Sequence, residues 1–88
     1  MKNISPETIA IQQRFFVALN WCVDTGVFTG LQEFCQAHGL NRTKYARIRN
    51  NADGLYKCID VDALAHICRD GGISADWLLL GKGEMVCT

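Results

Sequence analysis

A very short turn between two amphipathic segments is the feature that most constrains how this chain can fold. The turn is formed by Gly39, Leu40 and Asn41. In the segment before it, side chains recur at i, i+3, i+4 and i+7, the spacing of one helical face; these residues are Leu31, Phe34, Cys35 and His38. Gly39 can take the positive φ that ends a helix, and Asn41 can cap a new one. Two helices joined so closely must cross steeply, so the sequence predicts a helix-turn-helix.

Local start and stop signals predict the bounds of the first two of five helices. Ser5 can cap a helix that begins at Pro6, because proline suits the first helical position. This helix is expected to run to about Asp24. The second helix is expected to start at Thr29, whose hydroxyl can accept a backbone N–H while Gln32 reaches back in a capping box.

The other three helices are predicted from the same kinds of signal. Asn41 caps the third helix, and Asp60 is expected to cap the fourth. The predicted buried stripe of the fourth helix consists of Val61, Leu64, Ala65 and Cys68. Ser74 precedes a last helix, Ala75 to Leu80, which Gly81 closes.

The composition fits one ordered domain rather than several. The chain has 88 residues, is 49% hydrophobic and contains one proline, so it can bury a modest core without long disordered segments. We therefore predict a single all-α domain over residues 1–88, a compact five-helix bundle. No apolar run approaches the length of a bilayer span, and the start MKNISPETIA lacks the apolar core of a signal peptide, so a cytoplasmic location is expected.

Positive charge is concentrated on the third predicted helix. The whole chain balances nine Lys and Arg against nine Asp and Glu, yet residues 42–49 hold four cations and no acid. Tyr45 and Ile48 are three residues apart and can face the core together. The remaining sides then present Arg42, Thr43, Lys44, Ala46, Arg47 and Arg49. The major groove of DNA admits one α-helix, and arginine can bind guanine in a bidentate manner, so double-stranded DNA is the expected ligand.

Two stretches of the chain resemble a known family. Residues 31–50 resemble the helix-turn-helix of lambda-repressor-like, or XRE-family, DNA-binding domains. The match rests on Cys35 at a position where alanine is usual, on Gly39, and on the apolar residues Leu40, Tyr45 and Ile48. The second stretch, ISADWLLLGKGEM at residues 73–85, is similar to the "vs-x-dWLl-x-GeGeM" close of many phage-type and Bacteroidetes repressors.

The resemblance implies a transcriptional regulator, a repressor, that places its third helix in the major groove. Carried over by position, it implies contacts to base edges from Arg42, Thr43 and Arg47. The implied contacts to phosphate come from Gln32, Lys44, Arg49, Asn50 and Lys57. Trp77 is expected to pack in the core. A homodimer is also expected, because such motifs commonly read two-fold related half-sites.

Other classes of function have weaker support in the sequence. A protein-interaction module derived from a helix-turn-helix is the alternative, favoured by the net charge of zero. An enzyme is not expected, because Asp60, Asp62, Ser74 and the two histidines form no recognisable catalytic spacing. The five cysteines form no CxxC pair and are predicted to be small buried thiols, and no metal, cofactor or small-molecule ligand is predicted.

Overall fold

Five helices make up the part of the chain that the computed structural model describes, residues 5–50 and 58–86. They are α1 (Pro6–Asp24), α2 (Leu31–His38), α3 (Arg42–Arg49), α4 (Val61–Gly71) and α5 (Ala75–Leu80). The predicted all-helical class is confirmed for these residues, and the bounds of α1 and α5 agree with the prediction. None of these helices is both long enough and apolar enough to cross a membrane.

The core is built around α1. Its residues Phe15, Ala18 and Cys22 are fully buried. The Phe15 ring meets Phe34 of α2 and Tyr45 of α3 edge-on, with ring centroids 5.7 Å and 6.2 Å away. Aromatic pairs favour this arrangement over a face-to-face sandwich. One aromatic cluster therefore attaches both α2 and α3 to α1.

Three of the predicted helix caps are confirmed. Ser5, Asn41 and Ser74 are the N-cap residues of α1, α3 and α5. Each side-chain oxygen accepts a hydrogen bond from the backbone N–H three residues later, at 3.1, 3.0 and 3.3 Å respectively. Such a bond satisfies one of the N–H groups that a helix start leaves unpaired.

The predicted start of α2 is wrong by one residue. Gly30, and not Thr29, is the N-cap residue, and no side chain caps the helix there. The capping box with Gln32 does not form; Glu33 Oε1 instead accepts the Thr29 N–H at 2.9 Å. A carboxylate in the first turn also interacts favourably with the positive end of the helix dipole.

The predicted buried face of α4 is also wrong. Val61 is 78% exposed and Ala65 is exposed, whereas Ala63, Ile67 and Gly71 are buried. The other two residues of the predicted stripe, Leu64 and Cys68, are partly buried at the edge of the true face.

Close approach between α4 and α1 explains this rotation of the buried face. A Cβ atom placed on Gly71 would lie 2.6 Å from the Sγ atom of Cys22, nearer than any real contact allows. The small residues at positions 63 and 71 therefore let the two backbones come together, and Ile67, on the same face of α4, is fully buried. The repeat of large apolar residues in the sequence does not identify such small residues as part of the buried face.

The last helix is attached to α1 by Arg14. Its guanidinium donates to the carbonyl oxygens of Leu78 and Leu79 at 2.8 Å and 3.1 Å. Leu78 is fully buried, and Trp77 is partly buried and packs against the core, as predicted for Trp77. After α5 the chain folds back, and Met85 O accepts the N–H of Ser74 at 2.7 Å.

The turn between α2 and α3 depends on a left-handed glycine. Gly39 has φ 67° and ψ 30°, and its neighbour Leu40 donates its N–H to the Cys35 carbonyl at 2.8 Å. An L-residue with a Cβ is strained in this region. The predicted role of Gly39 in ending α2 is confirmed.

Gly39→Ala is expected to lower the free energy of unfolding by about 1 kcal/mol, because alanine is disfavoured at positive φ. Urea denaturation measures the change. Gly30→Ser is the matched control: Gly30 has extended backbone with φ 165° and open space around it. Serine there can cap α2, so this variant should be as stable as the parent or slightly more stable. Equal destabilisation by both substitutions would contradict the explanation.

Candidate functional site

The basic helix α3 is anchored by two buried side chains. Tyr45 is fully buried and Ile48 is 6% exposed. Successive residues of a helix are turned by about 100°, so the side opposite these two is the one that holds Thr43 and Arg47, with Arg42 at its border. All three of these residues are exposed. The residues predicted to contact base edges therefore share the outward side of one helix.

The residues predicted to contact phosphate are distributed around this side. Arg49 and Asn50 are exposed at the end of α3, where Asn50 is the C-cap residue. Gln32 is exposed in the first turn of α2. Ala46 is partly buried and packs against the core, so it contributes less to the outward side than the sequence suggested. Lys57 lies outside the described residues.

Lys44, on the first turn of α3, is paired with an acid. Its Nζ lies 3.4 Å from Oδ1 of Asp60, and the two side chains are 31% and 47% exposed. The same Nζ lies 5.9 Å from the centre of the Tyr45 ring. An ion pair this exposed contributes little to stability, so it holds Lys44 weakly.

Asp60 has a role that its predicted cap position did not reveal. It is the N-cap residue of α4 by conformation, but its side chain makes no capping hydrogen bond. The carboxylate instead accepts a hydrogen bond from the Tyr45 hydroxyl on Oδ2 at 2.7 Å. The Tyr45 oxygen in turn accepts the backbone N–H of Asp60 at 2.8 Å. These two hydrogen bonds join the start of α4 to the buried side of α3.

The protonation properties of this pair follow from its contacts. The hydrogen bond from Tyr45 is the main cause that lowers the pKa of the Asp60 carboxyl, and the nearby Lys44 charge lowers it further. Burial is the main cause that raises the pKa of the Tyr45 hydroxyl. At neutral pH Asp60 is therefore an anion and Tyr45 a neutral donor.

The two histidines contact each other between α2 and α4. The rings of His38 and His66 are stacked, with centroids 3.8 Å apart and planes inclined by 10°. His38 Nε2 lies 3.0 Å from Oδ2 of Asp70, although not in the direction that a hydrogen bond requires. The pair therefore packs two helices together, and no group of three metal-ligating side chains occurs in the described ranges 5–50 and 58–86.

The cysteines only partly fit the prediction of buried thiols. Cys22 and Cys35 are buried, and burial raises the pKa of both thiols, while the Arg42 charge opposes the rise at Cys35. Cys68 is partly buried. Cys58 is exposed, which contradicts the prediction, because it lies in the segment that precedes α4 rather than inside a packed helix. Cys87 lies outside the described residues.

Comparisons of the chain with protein-family models, with curated proteins and with solved structures find no match. The resemblance seen in residues 31–50 and 73–85 therefore stays a prediction. What the geometry adds is the outward side of α3 and the contacts of Lys44 and Tyr45 with Asp60.

Tyr45→Phe is expected to lower the free energy of unfolding by roughly 1–2 kcal/mol, because Asp60 loses both hydrogen bonds to the hydroxyl while the ring is retained. Chemical denaturation measures the loss. In an Asp60→Ala background the same substitution should cost less, since one of the two hydrogen bonds is already gone. A loss from Tyr45→Phe below about 0.5 kcal/mol would show that the hydroxyl does not hold α3 in place.

The stability that the ionised Asp60 provides is expected to depend on pH. Because its pKa is lowered in the folded chain, this contribution is complete above the unfolded pKa of about 3.9 and is lost as the pH falls through the folded value. The stability difference between the parent and Asp60→Asn should therefore be constant from about pH 5 to 7 and shrink below about pH 4. Urea denaturation across this range measures it, and a difference that grows with acid would contradict the assignment.

Proposed function

We propose that this chain is a sequence-specific double-stranded DNA-binding protein that acts as a transcriptional repressor. In this proposal α2 and α3 form a helix-turn-helix of the lambda-repressor-like type, and α3 enters the major groove. The observation that carries the proposal is the outward side of α3, where Arg42, Arg47 and the short Thr43 are all exposed to solvent.

Charge supports a nucleic-acid ligand over a neutral partner. Residues 42–49 carry +4 in a chain whose formal net charge is zero, so all the other residues together carry 0 − 4 = −4. The positive potential is therefore local to α3. A local cationic surface attracts the phosphate backbone on one face while the rest of the protein does not bind polyanions indiscriminately.

The size and chemistry of α3 suit the major groove. A helix with its side chains is about 10–12 Å wide, and the major groove is about 12 Å wide. We assign base-edge contacts to Arg42, Thr43 and Arg47, because arginine recognises guanine by two hydrogen bonds and threonine offers both a hydroxyl and a methyl group. We assign phosphate contacts, which position the protein, to Gln32, Lys44, Arg49, Asn50 and Lys57.

The turn at Gly39 supports the helix-turn-helix assignment. Since Gly39 adopts the left-handed conformation and Asn41 caps α3 directly afterwards, α2 and α3 are joined by a minimal turn and pack on the same aromatic cluster. A single recognition helix contacts few base pairs, so we also propose a homodimer on two related half-sites.

A protein-interaction module is the second candidate. Leu79 and Leu80 of α5 are 40% and 60% exposed, and exposed leucines next to each other are suited to a protein partner. Selection of bound sequences from a random duplex pool separates the two functions. Enrichment of a palindrome supports a dimeric DNA-binding protein, and no enrichment together with no duplex binding at low salt supports the module.

Arg42→Ala should weaken binding to the selected duplex by roughly 1–3 kcal/mol and relax base preference at one position, because it removes a base contact. Lys44→Ala should instead weaken all duplexes alike. If the cations assigned to phosphate, Lys44, Arg49 and Lys57, neutralise two to three phosphates, log K should fall against log salt with a slope of about −2 to −3. Fluorescence anisotropy with labelled duplexes measures these quantities.

Arg69→Ala is the matched control for Arg42→Ala, since Arg69 is also an exposed arginine but lies on α4. It should change binding only through the small long-range effect of one charge. Equal losses in the two variants would show that α3 has no special role, and the absence of duplex binding by the parent at low salt would exclude the proposed function.

A further inference from the structure

We infer that Asp60 competes with DNA phosphate for Lys44 and so limits both the affinity of the DNA interface and its dependence on salt. The inference rests on the proposed function, because it assigns Lys44 to a phosphate contact. Asp60 lies at the start of α4, outside the predicted recognition helix, yet its carboxylate contacts α3 at two consecutive residues, Lys44 and Tyr45.

Hydrogen bonds to a buried residue hold the Asp60 carboxylate in place, although Asp60 lies at the surface. Tyr45, whose ring is fully buried, donates its hydroxyl to Oδ2 and accepts the backbone N–H of the same residue. The other oxygen, Oδ1, faces Nζ of Lys44 at 3.4 Å. Because Tyr45 holds both the backbone N–H of Asp60 and one oxygen of its carboxylate, the negative charge stays beside the first turn of α3.

The contact between Lys44 and Asp60 is weak enough for a phosphate to replace. Both side chains are substantially exposed, so water screens the pair, and pairs of this kind contribute little. When Lys44 turns to a phosphate, however, Asp60 loses its partner and remains near the DNA as an uncompensated anion. It then attracts a cation from solution.

Counting ions shows why this exchange affects salt dependence. A Lys–phosphate contact releases about 0.9 of a counterion from the duplex. If Asp60 takes up a cation in the same step, the net release is near zero and Lys44 contributes little to the slope. Removing the charge of Asp60 restores the full release. Because phosphates are the same in every sequence, the effect should be similar for all duplexes.

Asp60→Asn tests the inference, since asparagine keeps an oxygen that can accept the Tyr45 hydroxyl and the backbone N–H is unchanged. We expect it to bind a random-sequence duplex roughly 1.5- to 5-fold more tightly than the parent at low salt, the range that corresponds to an exposed ion pair. The slope of log K against log salt should become steeper by about 0.9. Fluorescence anisotropy at several salt concentrations measures both.

Asp62→Asn is the matched control. Asp62 is an exposed acid two residues further along, in the first turn of α4, so the substitution removes the same charge near the same helix start. It should leave the slope unchanged and raise affinity less than Asp60→Asn does. In a Lys44→Gln background, Asp60→Asn and Asp62→Asn should raise affinity equally, because the contact between Lys44 and Asp60 is already absent. Equal effects in the parent, or an excess of the Asp60→Asn gain over the Asp62→Asn gain that survives Lys44→Gln, would overturn the inference.

A second measurement is independent of DNA. Acylation of Lys44 by an amine-reactive reagent, followed by mass spectrometry, should be faster in Asp60→Asn than in the parent and in Asp62→Asn. If duplexes bind with the expected salt dependence but these variants do not differ in affinity or acylation, the inference fails and the proposed function stands. If no variant binds any duplex, the proposed function fails and the inference fails with it, whereas faster acylation would still show that Asp60 holds Lys44.

Discussion

The hydroxyl group of Tyr45 connects α3 to the start of α4. Its ring is fully buried against Phe15, and a phenol buried in this way needs a hydrogen-bond partner for its hydroxyl. Asp60 provides both an acceptor and a donor at the edge of the core. The Tyr45 ring is held by its packing on Phe15, and the hydroxyl is held by Asp60. A rotation of α3 about its axis would therefore lose either the packing or the hydrogen bonds. The outward direction of Arg42, Thr43 and Arg47 depends on this constraint.

The proposed function depends on where the charges lie in the chain and not on its net charge. A neutral chain can offer a polyanion a favourable surface when its cations are gathered on one helix and its acids lie elsewhere. Asp60, however, brings a negative charge to the edge of the basic helix. The same residue therefore positions α3 and moderates its charge, which links the packing of the fold to the strength of the proposed interface.

The two wrong predictions about helices have a common physical origin. The repeat of apolar residues identifies a helix well. It places the buried face where the large apolar residues lie, however, and so it can miss a face made of small ones. On α4 the contact surface is centred on Ala63 and Gly71, where small size permits close approach to α1 and Cys22. At the start of α2 the reach of Glu33 decides which side chain satisfies the Thr29 N–H, and the capping pattern of the sequence points to the neighbouring Gln32.

The amino-acid sequence by itself determined the features that depend on neighbours along the chain. Caps at Ser5, Asn41 and Ser74 and the left-handed turn at Gly39 need only residues within about four positions, so their patterns could be interpreted directly. The basic cluster of α3, and the two residues that bury its inner side, were predictable for the same reason.

Only the tertiary structure decided which distant side chains meet. The contact of Tyr45 with Asp60 spans 15 residues, and that of Arg14 with the carbonyl of Leu78 spans 64. The stack of His38 on His66 is another such contact, between α2 and α4. No local pattern encodes these partners, because each depends on how whole helices pack. For that reason the sequence could predict a cationic helix, but it could not predict that the lysine of this helix is already paired with an acid.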